Sequence, residues 1–463
     1  MNLWVLIGVL APWLAGMAIV RTRRAGLAGL LLTLGGGWLV GQILLFLLLF
    51  AMLRLTGASL AGLVSGLSLL IAVAVTILRR DKSASNPNRA MSTFAGTGRT
   101  GGVVVVLAAL FAISLGAKLL GIVPGLSTVT IRDDDATTFW LFKAKVIAES
   151  DHLSFDKDDP YYLGGANPQY PVYLPLCAAY LPLMKGGWSE TLATFPWFGF
   201  FVATPLTILG ALRLRLGAWP PALIAAYFVM SLPLASVHAY RPGYADMPMA
   251  AFLAAAVCFM LMAQMSERRI HNIVVALVLL IGAGVMKREG HVLAAVVAAV
   301  MLAPEVLSAF RRSATEAWRL VAALAIAIVV VFALVDNDDV VSDVSQLGWH
   351  GEAITSLANH AFGWASFNLA FWLAPAAIIV VALSPKAVMR WRALALTGAL
   401  LAVDVCVFTL TKEYVFALND QTPSRLFLQI LPTIIVALAV PVTTALDRRE
   451  SSTNASPDAG ATS

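Results

Sequence analysis

The sequence predicts an all-α polytopic membrane protein with about thirteen transmembrane helices, within a range of roughly 12 to 14. Hydrophobic residues make up 59% of the chain and charged residues 13%, whereas a soluble domain carries about 25% charged residues. The mean hydropathy is +0.82. Apolar runs of roughly 20 residues, long enough to cross a bilayer core of about 30 Å, recur from end to end. One membrane-embedded body therefore accounts for the length better than a series of soluble domains.

The apolar runs give the predicted spans in chain order. They lie near 2–20, 26–53, 56–78, 102–123, 190–212, 219–238, 245–265, 270–286, 290–309, 317–335, 358–383, 392–411 and 425–445. The apolar run Tyr170–Met184 is short and contains several prolines, so we expect an interfacial or re-entrant helix there.

The chain divides into three predicted regions. Residues 1–100 hold the first helices and a basic linker, and residues 101–446 form a transmembrane body with a large loop at 124–189. The Ser/Thr-rich tail at 447–463 is predicted to be disordered.

Basic residues in the short connections predict the orientation. Excess Lys and Arg marks the cytoplasmic side of a membrane, and alternation through thirteen spans brings every basic cluster to one side. The clusters are Arg21, Arg23, Arg24; Arg79, Arg80, Lys82, Arg89, Arg99; Arg213, Arg215; Arg268, Arg269; Arg311, Arg312, Arg319; Lys386, Arg390, Arg392; and Arg448, Arg449. The loop at 124–189 then lies on the outer side.

Neither the net charge nor the cysteines point to another class of partner. The net charge of +6 comes from helix ends, so no nucleic acid partner is expected. Cys177, Cys258 and Cys406 lie in apolar context without CxxC spacing, which is typical of buried small side chains and not of a disulfide or metal framework.

Asp133, Asp134 and Asp135 stand in a row at the start of the loop after the fourth predicted span. Adjacent carboxylates repel one another and are costly near hydrocarbon. They form either a solvated loop start or a site that meets a proton, a cation or a substrate.

The segment behind these aspartates predicts a short helix in the membrane interface. Trp140 would face lipid, and the amines of Lys143 and Lys145 would meet headgroups or neutralise a phosphate. Anchoring of the helix in the membrane interface is the alternative role for Lys145. Tyr170, in the run Asn167-Pro168-Gln169-Tyr170-Pro171, belongs to a stiff extended turn.

Three further charged turns lie on the predicted outer side. Asp246 is either a helix cap or faces the same cavity as Asp134, where Arg241 would meet a phosphate beside Tyr244. The remaining candidates are Lys287, Arg288 and Glu289, in a turn with almost no loop, and Arg425, at the start of the last span. An Arg at a helix start opposes the macrodipole but suits a bound phosphate.

Taken in order, these motifs resemble the GT-C superfamily of integral-membrane glycosyltransferases, over roughly 131–432. The resemblance rests on Asp133–Asp135, on Trp140-Leu141-Phe142-Lys143-Ala144-Lys145, and on the later motifs. Those motifs are Asn167-Pro168-Gln169-Tyr170-Pro171, Gly243-Tyr244-Ala245-Asp246-Met247-Pro248, Lys287-Arg288-Glu289-Gly290 and Ser424-Arg425-Leu426-Phe427-Leu428.

The resemblance implies an inverting transferase at the non-cytoplasmic face of a bacterial-type inner (plasma) membrane. The donor would be a polyprenyl-phosphate-linked sugar, and the acceptor a glycan, a lipid or a protein. Asp134 would be the catalytic base, tuned by Asp133 and Asp135. Arg425, Lys287, Arg288 and Lys143 would hold the donor phosphate, and Asp246, Arg241, Tyr244, Tyr170 and Glu289 would contact substrate.

No cofactor and no metal site is expected, although the acidic loop leaves a divalent cation open. A transporter or flippase of a lipid-linked or charged solute is the alternative class. A non-catalytic assembly subunit is a third.

Overall fold

The computed structural model confirms an all-α polytopic membrane architecture. It describes residues 2–21, 26–78, 99–128, 135–154, 156–163, 170–265, 268–312, 347–363, 365–383, 387–419 and 422–453, and isolated positions between 315 and 326. This part of the chain contains helices and no strand. Asp133, Asp134, Asn167 and Gln169 lie outside the described residues, as does most of the predicted span 317–335.

The helices are numbered in chain order. They are α1 Leu3–Val20, α2 Leu27–Thr56, α3 Ala61–Leu78, α4 Arg99–Thr128, α5 Leu141–Ser150, α6 Tyr173–Lys185, α7 Glu190–Leu216, α8 Trp219–Ser231, α9 Pro233–Tyr240, α10 Asp246–Ala263, α11 Arg269–Gly284, α12 Arg288–Arg312, α13 Ala353–Ala358, α14 Ala370–Ala382, α15 Ala387–Leu410, α16 Tyr414–Leu418 and α17 Pro423–Thr453. Short π-helical turns cover Ala136–Trp140 and Asn359–Gly363, and a 3-10 turn covers Ala365–Phe367.

Nine of the described helices are long and apolar enough to cross a membrane. The pair α8 and α9, bent by 55° at a break, gives a tenth, and α11 and α14 are shorter apolar helices. The predicted count of thirteen stays a prediction.

The last helix is longer than the sequence predicted. It runs to Thr453, past position 447, where the predicted tail begins.

Close contacts at glycines show which helix ends share a face of the bundle. A Cβ on Gly16 would overlap the backbone of Gly37, and one on Gly210 would overlap the backbone of Leu32. Both α1 and α7 therefore run antiparallel to α2. Small residues allow such close approach between membrane helices. The starts of α1, α3, α7 and α10 lie on one face of the bundle, here called the Asp246 face after the first residue of α10. Their ends lie on the opposite face, here called the Glu305 face, where Glu305 of α12 binds Arg269 at the start of α11.

The central helix of the bundle is α10, because each of its residues from Asp246 to Ala263 is buried. It packs against α7, α11 and α17. By contrast, only 6% of the best apolar window of α4 is buried inside the protein, so α4 lies at the periphery.

The helix α6 has 13 residues, fewer than the helices that are long enough to cross a membrane. Its first residue, Tyr173, packs edge-on against Phe252 near the start of α10. Leu181 and Met184, near its other end, lie beside Gly8 near the start of α1. Both ends therefore lie toward the Asp246 face, as expected for a re-entrant helix, and the charge-based orientation of the following helices is kept.

The helix α5 is more deeply buried than the sequence predicted. Trp140 is 2% exposed and Lys143 is 1% exposed, so the prediction that they face lipid and headgroups was wrong. The reason is that the Tyr170 ring packs against Trp140, the Tyr170 carbonyl accepts from Lys143, and α5 packs against α6. Phe142 and Lys145 stay exposed, and Lys145 pairs with Glu149 at 3.9 Å.

The described basic connections meet at the Glu305 face. Arg268 donates to the carbonyl of Arg21 at 3.4 Å, and Arg215 contacts the sulfurs of Met265 and Met389. Their common sidedness, predicted from the charge pattern, therefore holds among these residues.

Candidate functional site

The candidate site is centred on Asp246, the first residue of α10, which is 0% exposed. Its Oδ1 accepts from the side-chain amide of Gln429 at 2.7 Å and from Lys287 Nζ at 3.3 Å. Its Oδ2 accepts from Arg425 Nε at 2.8 Å. One buried carboxylate thus ties together α10, the α11–α12 turn and α17. The sequence left a helix cap open for Asp246, but the N-cap of α10 is Ala245, and the Asp246 carboxylate binds residues of other elements.

Arg425 links two acidic residues from distant parts of the chain. Its Nε binds Asp246, and its Nη2 binds Asp135 Oδ2 at 2.5 Å. The guanidinium also lies over the Tyr244 ring, 4.6 Å from the centroid, in a cation–π arrangement. A guanidinium carries more N–H donors than these two carboxylates use, and its side chain stays 19% exposed. Arg425 is therefore fixed in place and still able to bind an anion.

Lys287 lies in the turn between α11 and α12 and is buried. Its ammonium contacts Asp246 at 3.3 Å and Glu289 Oε1 at 3.1 Å. Burial alone would lower the pKa of Lys287, but the two carboxylates outweigh it and raise this pKa above its ordinary value. The ammonium therefore stays charged.

The turn between α9 and α10 holds the aromatic side of the site. The ring of Tyr244 stacks on His238, with centroids 4.8 Å apart, and its carbonyl accepts from Trp197 Nε1 at 2.8 Å. Gly243 has φ +129°, and a Cβ there would overlap Ala136. Glycine thus lets this turn pack directly on the π-helical turn that follows Asp135.

Tyr170 connects α5 to the charged cluster. Its ring packs against Phe139 and Trp140, with centroid distances of 5.5 and 5.2 Å, and its carbonyl accepts from Lys143 Nζ at 3.2 Å. Burial raises the pKa of Tyr170, which also interacts electrostatically with Lys287. Burial lowers the pKa of Lys143 to about 8.

The structure brings together most of the described residues that the sequence proposed. Asp135, Arg425, Lys287, Asp246, Tyr244, Glu289, Tyr170 and Lys143 form the neighbourhood described above. Arg241 is exposed at the end of α9, and Arg288 is half-buried at the start of α12. The enclosure of Asp246 by protein donors favours a positioning role over the predicted substrate contact.

Several residues of the site were not found from the sequence. Gln429 follows Arg425 by four positions, the spacing that places side chains on one helix face, and this signal could have found it. Asp404 is a lone carboxylate within an apolar span, which is itself a functional signal. The pair His360 Nδ1 and Ser424 Oγ, 2.7 Å apart, carries no comparable sequence signal.

The described residues contain no group of three or more His, Cys, Asp or Glu side chains that could hold a metal ion. The cations of this neighbourhood are the side chains of Arg425, Lys287 and Lys143.

No protein-family model, no curated protein and no solved structure matches this chain. The class that fold and site define is a polytopic membrane protein with a buried charge cluster at one face.

Proposed function

We propose that the protein is a membrane glycosyltransferase that moves a sugar from a polyprenyl-phosphate carrier to an acceptor hydroxyl. The observation that carries the proposal is the position of Arg425. Two carboxylates fix this guanidinium at the first turn of a membrane helix, where it keeps donors for an anion. Helix N-termini attract anions, and Arg matches phosphate oxygens in a bidentate way.

The depth of the cluster suits a lipid-borne phosphate. Asp246 begins α10, Arg288 begins α12 and Arg425 lies in the first turn of α17, so the charges share one end of the bundle. A polyprenyl carrier keeps its chain in hydrocarbon and its phosphate at headgroup depth. By the positive-inside rule, the Asp246 face is the outer one, because the basic connections meet at the opposite face.

The proposed reaction is an inverting displacement. The acceptor hydroxyl attacks the anomeric carbon and gives its proton to a carboxylate. The bond from that carbon to the carrier phosphate oxygen breaks, and the electron pair leaves with the phosphate. Because negative charge grows on the phosphate in the transition state, Arg425 and Lys287 accelerate the step more than they favour substrate binding.

The base is assigned to Asp134, which directly precedes Asp135 in the chain. Asp135 holds Arg425 through Oδ2, so its carboxylate serves the phosphate clamp. Asp133 and Asp134 lie outside the described residues and remain the candidates for activating the acceptor.

The test is turnover of purified, reconstituted protein with a panel of polyprenyl-phosphate sugars. We expect sugar release or transfer from at least one member. Loss of a general base costs about 10² to 10⁴ in rate, so Asp134→Asn should lose that factor while donor binding persists. Full activity in Asp133→Asn, Asp134→Asn and Asp135→Asn alike would contradict the proposal.

A transporter of a lipid-linked or charged solute is the second candidate, and one observation favours it. The span formed by α8 and α9 is broken by 55°, and transporters often use broken helices around a mid-membrane site. In contrast, the described site charges gather at helix starts. Movement of an intact glycolipid across vesicles, without cleavage of its sugar–phosphate bond, would favour the transporter.

A further inference from the structure

Three buried oxygen atoms around the site accept no hydrogen bond from any described residue. They are Glu289 Oε2, Gln429 Oε1 and Asp404 Oδ2. Gln429 adjoins the cluster through Asp246, and Glu289 adjoins it through Lys287. Such acceptors are costly to bury unless a partner supplies donors.

Asp404 is the least expected member of this group. It lies on α15, six residues before the end of that helix at Leu410, and its side chain is 1% exposed. Helix α15 packs against α12, which carries Glu289, and against α17, which carries Gln429. A carboxylate in this position implies a ligand or a proton between these helices.

The cluster thus has two chemically opposite sides. Arg425 and Lys287 present donors, which suit phosphate oxygens. Glu289, Gln429 and Asp404 present acceptors, which suit hydroxyl groups. A sugar joined to a phosphate offers both complements within one small molecule.

We infer that Asp404, with Glu289 and Gln429, forms the pocket for the sugar of the donor and binds its hydroxyl groups. This inference rests on the proposed function and deepens it. Asp404 becomes a specificity-determining residue, because an unpaired buried acceptor discriminates strongly against a ligand that lacks the matching hydroxyl.

The test compares the affinity of purified protein in lipid nanodiscs for two ligands. One is polyprenyl phosphate without a sugar. The other is the polyprenyl-phosphate hexose or pentose that the wild-type protein binds most tightly. The wild-type protein should prefer the glycosylated carrier. Asp404→Leu should reduce that preference at least tenfold and leave the affinity for the bare carrier unchanged, which also shows that the variant is folded.

Two variants make the result decisive. If Asp404→Leu does not fold, the isosteric Asp404→Asn is used, and a several-fold loss of preference is expected because an amide N–H₂ replaces one of the two carboxyl oxygens that can accept from a hydroxyl. Thr397→Val is the matched control. It lies on the same helix and is equally buried, but two turns further from the site, and it should keep the preference.

The possible failures are distinguishable. An undiminished preference in both Asp404 variants would overturn the sugar pocket and leave the phosphate site intact. Failure of the wild-type protein to bind either carrier would overturn the proposed function and the sugar pocket with it.

Discussion

The guanidinium of Arg425 is the residue-scale feature on which the proposed chemistry depends. Asp135 and Asp246 bind it from two sides, at 2.5 and 2.8 Å, while Tyr244 lies against its face. An ammonium cannot bridge two carboxylates with the planar geometry of a guanidinium. The position of the cation therefore depends on the whole side chain and not on its charge alone.

Arg425→Lys should lower kcat by about 10²-fold, the usual effect of losing one transition-state donor, with a smaller rise in KM. Arg425→Ala should impair both, since the charge itself is lost. Steady-state kinetics with varied donor concentration separate the two cases. If Arg425 only anchors the helix among the lipid headgroups, both variants will show the same small change in kcat and KM.

Lys143 gives the site a dependence on pH. Burial lowers its pKa to about 8, so the ammonium is charged below that pH and neutral above it. If Lys143 helps to hold the donor, affinity for a glycosylated carrier should fall as pH rises from about 7 to 9. Titration of binding in nanodiscs measures this. The carrier phosphodiester does not change charge in that range, and Lys143→Met should show a flat profile. A falling profile in Lys143→Met would assign the effect to another group.

The sequence drew attention to two residues whose charge conflicts with their position. Arg425 at a helix start and Lys287 in a turn without a loop are locally unfavourable, and both belong to the cluster. The sequence could not show that Asp246 binds both of them, because Asp246 is 179 positions from Arg425 and 41 positions from Lys287 in the chain. Gln429 and Asp404 were missed although each carries a signal. Gln429 follows Arg425 by four positions, and Asp404 is a lone carboxylate in an apolar span.

At the scale of elements, buried ion pairs join the helices far from the site. Glu305 on α12 binds Arg269 on α11 at 2.5 Å and Arg392 on α15 at 2.7 Å. All three side chains are largely buried. Breaking a buried pair by removing one partner leaves an uncompensated charge.

Glu305→Gln should lower the free energy of unfolding by about 3–5 kcal/mol, since two arginines lose their carboxylate. Denaturant or thermal unfolding in detergent measures the change. Donor affinity of the protein that stays folded should not change, because this triad lies at the face opposite Arg425. Arg311→Gln, an exposed change on the same helix, is the control. Equal stability of Glu305→Gln and Arg311→Gln would show that the triad contributes little.

Elements were predictable from apolar run length, whereas their burial was not. The spacing of apolar residues and the composition predict a helix around Leu141–Ser150. They do not show that Lys143 is buried, because that burial depends on how α5 packs against other parts of the chain. The length and prolines of α6 predict an interfacial or re-entrant helix, and this stays a prediction.

At the scale of the whole molecule, the orientation in the membrane decides which compartment the site faces. The basic connections gather at the Glu305 face, and the site lies at the Asp246 face. A cysteine at position 156, exposed near the end of α2, should react with a membrane-impermeant maleimide in intact cells. A cysteine at 265, exposed at the Glu305 face, should react only after permeabilisation. Cys406 is exposed and should be replaced first. The reverse labelling pattern would place the site in the cytoplasm.

The whole fold class followed from composition alone, because no soluble fold could cover so much apolar surface. The site depends on long-range contacts between α10, α12 and α17, which a single sequence does not reveal. The pattern of basic residues predicted that the charged turns share one side of the membrane, and the contacts between α10, α12 and α17 lie at that end of the bundle.

The most direct test of the proposed phosphate site is a structure of the protein with a bound polyprenyl-phosphate sugar. We expect the carrier phosphate to lie within hydrogen-bond distance, about 3 Å, of the Arg425 guanidinium, with its lipid chain leaving toward the bilayer. A phosphate bound at the Glu305 face, or at the Asp246 face without contact to Arg425 or Lys287, would contradict it.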